Sequence, residues 1–189
     1  MVDIETLGTE PGSVVVSIGA VQFDDDGLGA EFYRVVDVLD SLLAGLRVDE
    51  STLEWWRKLP AAARGALYAV EARRELGEAL EDFGRFIDSS SPAESNLWAK
   101  GPDFDLVLLQ AAYKAAGKRI PWKYRNARDV RTVLGMSRAG LLVNAGVHHH
   151  ALADARHQAE QVRAVYRDLG LRLDGTAPAR ASSPPIPEA

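Results

Sequence analysis

Residues Val14–Phe23 read VVVSIGAVQF, a β-branched and apolar run bounded by Pro11-Gly12 before it and by Asp24-Asp25-Asp26-Gly27 after it. An unbroken apolar stretch between turn formers is the pattern of a buried strand running into a turn. Across the acidic turn a second strand is expected at about Ala30–Val36, and a short strand at Met1–Thr6 is expected to lie beside the first. These predict an antiparallel group of three strands at the N-terminus. Only two residues precede Asp3, so that strand is short at its start or the true start lies upstream.

Further along, Thr52–Leu59, Ala61–Tyr68 and Glu71–Ile87 read as helices, the last with Leu76, Leu80, Phe83 and Ile87 at helical spacing. Asn96–Lys100 (NLWAK) is a short apolar strand broken by Gly101-Pro102. Leu106, Leu109, Ala112, Tyr113 and Ala116 then form one helical stripe, giving a strand, turn and helix unit. A short helix is expected at Asp129–Leu134 and a long one at Ala151–Leu169, stopped by Gly170. Strands first, then alternating elements, predict an α/β domain with a mixed sheet flanked by helices. Residues 1–174 are expected to form that domain. The stretch Gly175–Ala189 (GTAPARASSPPIPEA) has one isoleucine among prolines, serines and alanines and is expected to be a disordered tail.

The chain has 189 residues, 47% hydrophobic and 26% charged, enough for one core without staples. With no cysteine, disulfides, thiolate zinc sites and thiol nucleophiles are excluded, and any metal must be held by oxygen or imidazole. No signal-like N-terminal run and no stretch near ~18 apolar residues is present, which predicts a cytoplasmic protein without membrane contact. The net charge of -5 argues against a globally basic coat for nucleic acid. One local stretch differs: Lys114, Lys118, Arg119, Lys123, Arg125, Arg128, Arg131 and Arg138 face the single acid Asp129, with Tyr113, Trp122 and Tyr124 interleaved. Aromatics among cations suit stacked bases beside phosphates, although an ordinary solvated basic face has the same composition.

Asp3 and Glu5 lie two apart on a strand, so their side chains share a face. Two carboxylates there repel unless solvated, protonated or joined by a cation, which makes the pair a candidate for a hard metal; a lone D-x-E is more often a solvated edge. Asp103 and Asp105 fall at the turn after NLWAK, where sheet proteins place their sites, and Asp103 is the expected helix cap. His148, His149 and His150 precede Asp154, an acid set unusually among small apolar residues. Any one of these histidines is by itself a polar loop residue.

In order and spacing, MVDIETLGT with VVVSIGAVQF, then WAKGPDFD, then HHALADARHQA resemble the three motifs of the DEDDh 3′-5′ exonuclease superfamily. The superfamily includes the proofreading subunit of bacterial DNA polymerase, ribonuclease T and oligoribonuclease. The resemblance covers about Met1–Tyr166, and ETLGT, TLEWW and RDVRT look most like phage exonucleases and mycobacterial exoribonuclease-like proteins. It implies a ribonuclease H-like fold, a five-stranded mixed β-sheet with helices on both faces. It also implies that Asp3, Glu5, Asp105 and Asp154 are metal ligands for two divalent cations, Mg²⁺ or Mn²⁺, and that His149 is the general base. His150 is the rival for that role, because it stands four residues before Asp154 where a sister subgroup uses a tyrosine. Thr6 and Leu7 are expected near the terminal nucleotide or, equally, as strand end and core; Arg128 and Arg131 are candidate phosphate contacts, and Lys100, where many relatives have a small polar residue, is either another or a solvated side chain. The implied reaction is hydrolysis of single-stranded RNA or DNA from the 3′ end to nucleoside 5′-monophosphates. A metal-dependent phosphoesterase on small nucleotides and a non-catalytic nucleic-acid-binding module are the alternatives, and a homodimer stays open.

Overall fold

The computed structural model describes residues 1–69, 72–89, 96–142 and 149–174. The expected tail at 175–189, together with His148 and Glu71, lies outside them. β1 (Val2–Thr6), β2 (Val15–Phe23) and β3 (Leu28–Val36) are antiparallel neighbours, as VVVSIGAVQF and its flanks predict, and β4 (Arg73–Arg74) joins β3 in parallel. β5 (Leu97–Ala99) and β6 (Ala127–Asp129) form a separate parallel pair, with β5 beside β1. The backbone ladders therefore join four strands and two strands, where one five-stranded sheet was expected. β5 and β6 are three residues each, so they offer few ladder groups, and Gly101-Pro102 stops β5.

Seven α-helices are described: α1 (Val38–Leu43), α2 (Glu50–Lys58), α3 (Gly65–Tyr68), α4 (Leu76–Ser89), α5 (Asp105–Ala115), α6 (Val130–Leu134) and α7 (Ala151–Asp168). Three differ from the sequence reading. The helix expected from Ala61 is a turn over 61–64 and becomes helical at Gly65. The helix expected from Glu71 begins at Leu76, because Arg73 and Arg74 pair with Val35 and Val36 and the Leu76 amide donates to Asp40 Oδ2 at 2.7 Å. That same Asp40 belongs to α1, a helix the pattern did not announce, capped by Asp37 accepting from the Asp40 amide at 2.9 Å. Long-range pairing decides where α4 begins.

Alternation along β1 sends Val2 and Ile4 to one face and Asp3 and Glu5 to the other. Val2, Ile4, Ile18, Ala20 and Phe32 pack with Leu76, Leu80 and Phe83 of α4 and with Leu109, Ala112 and Tyr113 of α5. On the opposite face Ala155, Ala159, Val162 and Val165 of α7 meet Val21, Trp98, Val130 and Val133. Helices thus cover both faces. Trp122, read from sequence as a stacking residue, and Tyr113, expected on the α5 stripe, both belong to the first core: Trp122 packs edge-on against Phe83 and Tyr113, and the Tyr113 hydroxyl donates to the Leu80 carbonyl at 2.7 Å. Burying rings of this size is worth roughly 2 kcal/mol or more each, which is why they leave the surface. Tyr124, at 87% exposure, alone of the three is available outside.

Gly19 of β2 stands between Asp3 on β1 and Tyr33 on β3 in the cross-strand register. A Cβ at Gly19 would overlap the backbone of Ala151 and Leu152, so the first turn of α7 rests directly on the strand. This close approach, open only to glycine, brings Asp154 down onto the Asp3 and Glu5 face.

Candidate active site

Asp3, Glu5 and Asp154 each offer a carboxylate oxygen, and the three oxygens lie within 4.8 Å of one another. Two elements make this meeting: period-two alternation aims the β1 pair upward, and α7 starts above it. His150 is the N-cap of α7, its Nδ1 accepting from the Ala153 amide at 3.4 Å, while the His150 amide donates to Asp154 Oδ2 at 3.0 Å. This reciprocal arrangement fixes both side chains at the helix start. Gln158, one turn further along α7, donates through Nε2 to Asp3 Oδ1 at 2.7 Å.

Asp105 approaches from β5's side. Gly101, at a φ of 110° that favours glycine, turns the chain after β5, and its carbonyl accepts from the Phe104 and Asp105 amides at 2.8 and 3.2 Å. Asp105 then opens α5 and its Oδ1 accepts from the Ile4 amide at 3.3 Å, fastening α5 to β1 between Asp3 and Glu5. It adds charge behind the three converging carboxylates without being one of them. Asp103 is exposed, and the N-cap of α5 is Phe104 with no side-chain cap bond. Asp103 is therefore not the helix cap the sequence suggested, because the Gly101 turn already accepts the first amides.

Burial, followed by the charges of Asp105 and Glu5, holds Asp3 well above the usual carboxylate range despite the Gln158 hydrogen bond. Burial, then Asp154 and Asp105, pushes Glu5 up to about 8. Burial raises Asp105 to about 7 against the opposing Ile4 amide and Arg131 charge. Among the described residues no lysine or arginine forms a salt bridge with any of the four acids. A partly buried all-oxygen cluster with this much self-repulsion could hold a hard divalent cation.

A stability consequence follows, with its sign. A carboxyl whose folded pKa is raised keeps its proton in the fold at a pH where the unfolded chain has released it, so the metal-free fold weakens as pH rises. For Glu5 that window runs from its ordinary 4.5 to about 8. The melting temperature of chelator-treated protein should fall across this window, and Mg²⁺ or Mn²⁺ should restore more of it at the alkaline end than at the acid end. A metal-free melting temperature that rises over the same range would refute the buried cluster.

His149 and His150 differ in setting. His150 stacks nearly flat on Tyr33, centroids 4.6 Å apart, and is held by its cap bond. His149 has a φ of 63°, a left-handed conformation costing a non-glycine residue about 1–2 kcal/mol. This turn sends its ring away from His150 and edge-on to Trp55, at 4.9 Å, and to Trp56, at 6.3 Å. Trp56 is buried with Nε1 donating to the Thr6 carbonyl at 2.8 Å, which ties the pair to the residue after Glu5; Trp55 stays 42% exposed.

The expected substrate contacts separate. Leu7 is in the core, and Thr6 is buried with its hydroxyl donating to the Gly8 carbonyl at 2.7 Å. Arg128 is held on its own loop, Nη1 donating to the Arg125 and Ala127 carbonyls, each at 2.9 Å. Arg131 is exposed, packs over Gly101 and feels the Asp105 charge, so it borders the site; Lys100 is half-buried at the end of β5. Sequence reasoning missed Trp55, Tyr33, Gly19 and Gln158. Gln158 left a trace, an amide on the same stripe as Asp154, Ala155 and Val162.

Acids from β1 and α7 that converge beside the sheet, with buried Asp105 of α5 next to β1, define the class of acidic, oxygen-donor centres. The family model of the 3′-5′ exoribonuclease Rv2179c-like domain matches residues 1–166, and the chain belongs to that family. It is an enzyme of the 3′-5′ exoribonuclease type, in agreement with the DEDDh resemblance and its mycobacterial subgroup. A comparison with curated proteins found no match.

Proposed function

We propose that the protein is a metal-dependent 3′-to-5′ exonuclease that hydrolyses single-stranded RNA from its 3′ end and releases nucleoside 5′-monophosphates. The observation carrying this reading is the convergence of Asp3, Glu5 and Asp154 within 4.8 Å, backed by buried Asp105. These four would hold two divalent cations of the Mg²⁺ or Mn²⁺ kind, which when bound neutralise phosphoryl oxygens and the leaving 3′ oxygen. The mixed sheet with helices on both faces, and β5 beside β1, is compatible with the ribonuclease H-like fold that this reading expects.

The remaining work belongs to the chain's own groups. His149, set on the turn before α7, accepts the proton of the attacking water at an imidazole nitrogen. His150 stays behind as cap and Tyr33 partner, keeping Asp154 aimed. The exposed face of Trp55 beside His149 offers the terminal base a stacking surface. Arg131, next to Asp105, is placed to contact a phosphate.

Excess chelator should abolish release of nucleoside 5′-monophosphates, and Mg²⁺ or Mn²⁺ should restore it. Full turnover in chelator would eliminate the metal-dependent mechanism.

A further inference from the structure

The inward face of α7 carries Ala151, Ala155, Ala159, Val162 and Val165, all buried. Gln158 sits in the middle of that stripe at 5% exposure, one helical turn past Asp154. An amide in such surroundings costs free energy unless both its donor and its acceptor are satisfied. Only half of this one is: Nε2 donates to Asp3 Oδ1 at 2.7 Å, while Oε1 is buried without a hydrogen-bond partner among the described residues. Packing therefore does not account for glutamine here, since leucine or methionine would fill the same space without stranding a carbonyl.

What the amide supplies is one neutral donor aimed at one carboxylate. A carboxylate on a strand can rotate about its last bond, and a bond to Oδ1 fixes its plane. A lysine or arginine would do the same but would cancel a negative charge that the cluster needs to attract a divalent cation. Gln158 orients Asp3 and leaves its charge intact.

We infer that Gln158 is a positioning residue for the metal site, holding Asp3 in the orientation that receives a divalent cation through its Nε2–H to Oδ1 bond. This rests on the reading of Asp3 as a metal ligand. Residues that orient metal ligands in this way typically contribute about 10–100-fold to metal affinity.

The test is calorimetric titration of the full chain with MnCl₂ alone, with the melting temperature of the metal-free protein measured in parallel. Gln158→Met and Gln158→Asn serve as paired variants, the first without the amide and the second with an amide one methylene too short to reach Asp3. Both should bind Mn²⁺ about 10–100-fold more weakly than wild type. The metal-free melting temperature of Gln158→Met should be unchanged or higher, because a stranded carbonyl has been removed. Equal Mn²⁺ affinity in variants and wild type would overturn this inference alone. Metal-free unfolding of both variants would overturn it too, by placing the residue's role in the core. No Mn²⁺ uptake by the wild type would overturn the metal reading itself, and this inference with it.

Discussion

Asp105→Asn is expected to lower kcat by ~100-fold or more, exceeding what residues that merely orient a ligand contribute. Asparagine keeps an oxygen for the Ile4 amide, so the α5 to β1 attachment survives and the fold with it. It removes a buried negative charge from beside Asp3 and Glu5, so the metal-free protein should melt no lower than wild type and can melt higher. The control is Asp103→Asn, two residues away, exposed and making no cap bond. It should stay within about twofold of wild-type turnover and stability, as surface changes generally do. Steady-state kinetics and thermal melts on the pair decide the matter. If Asp103→Asn is the inactive variant, the acid that serves the site has been misassigned.

His149→Ala is expected to cost kcat about 10²–10⁴-fold, the range a positioned general base supplies, while Mn²⁺ affinity stays at the wild-type level. His150→Ala should behave in the opposite way. Losing the cap of α7 and the Tyr33 stack should reduce stability by about 1 kcal/mol, with kcat within about tenfold of wild type. The separation arises from the backbone: the left-handed turn at His149 directs adjacent rings to different walls, one against Trp55 and one against Tyr33. Near-normal turnover by His149→Ala would transfer the role to His150.

Much of this was readable in the chain, because local chemistry set it. The VVVSIGAVQF strand needed no context, since continuous β-branched residues between turn formers have few other solutions. Gly170, at a φ of 64°, follows α7 as the stop read from sequence. The acids were legible as fragments and gained meaning only in order along the chain. What escaped depends on contacts distant in sequence. Gly19 looks like any strand glycine until α7, more than a hundred residues later, is laid on it. Trp122 sat among cations and read as a stacking residue, yet Phe83 and Tyr113 enclose it. Thr6 and Leu7 could be read from their place after Glu5 either as substrate neighbours or as strand end and core, and both are buried. Trp55 and Trp56 were legible as a helix, and which of the two would stay exposed depended on the Thr6 carbonyl that accepts from Trp56.

The central claim is directional, metal-dependent hydrolysis from a 3′ end, and matched single-stranded RNAs labelled at the 5′ or the 3′ terminus test it directly. With Mg²⁺ or Mn²⁺ present, the 3′ label should appear at once as a mononucleotide while the 5′-labelled strand shortens one nucleotide at a time, and neither should change in chelator. Immediate release of the 5′ label, internal fragments without a ladder, or equal degradation in chelator would contradict the account.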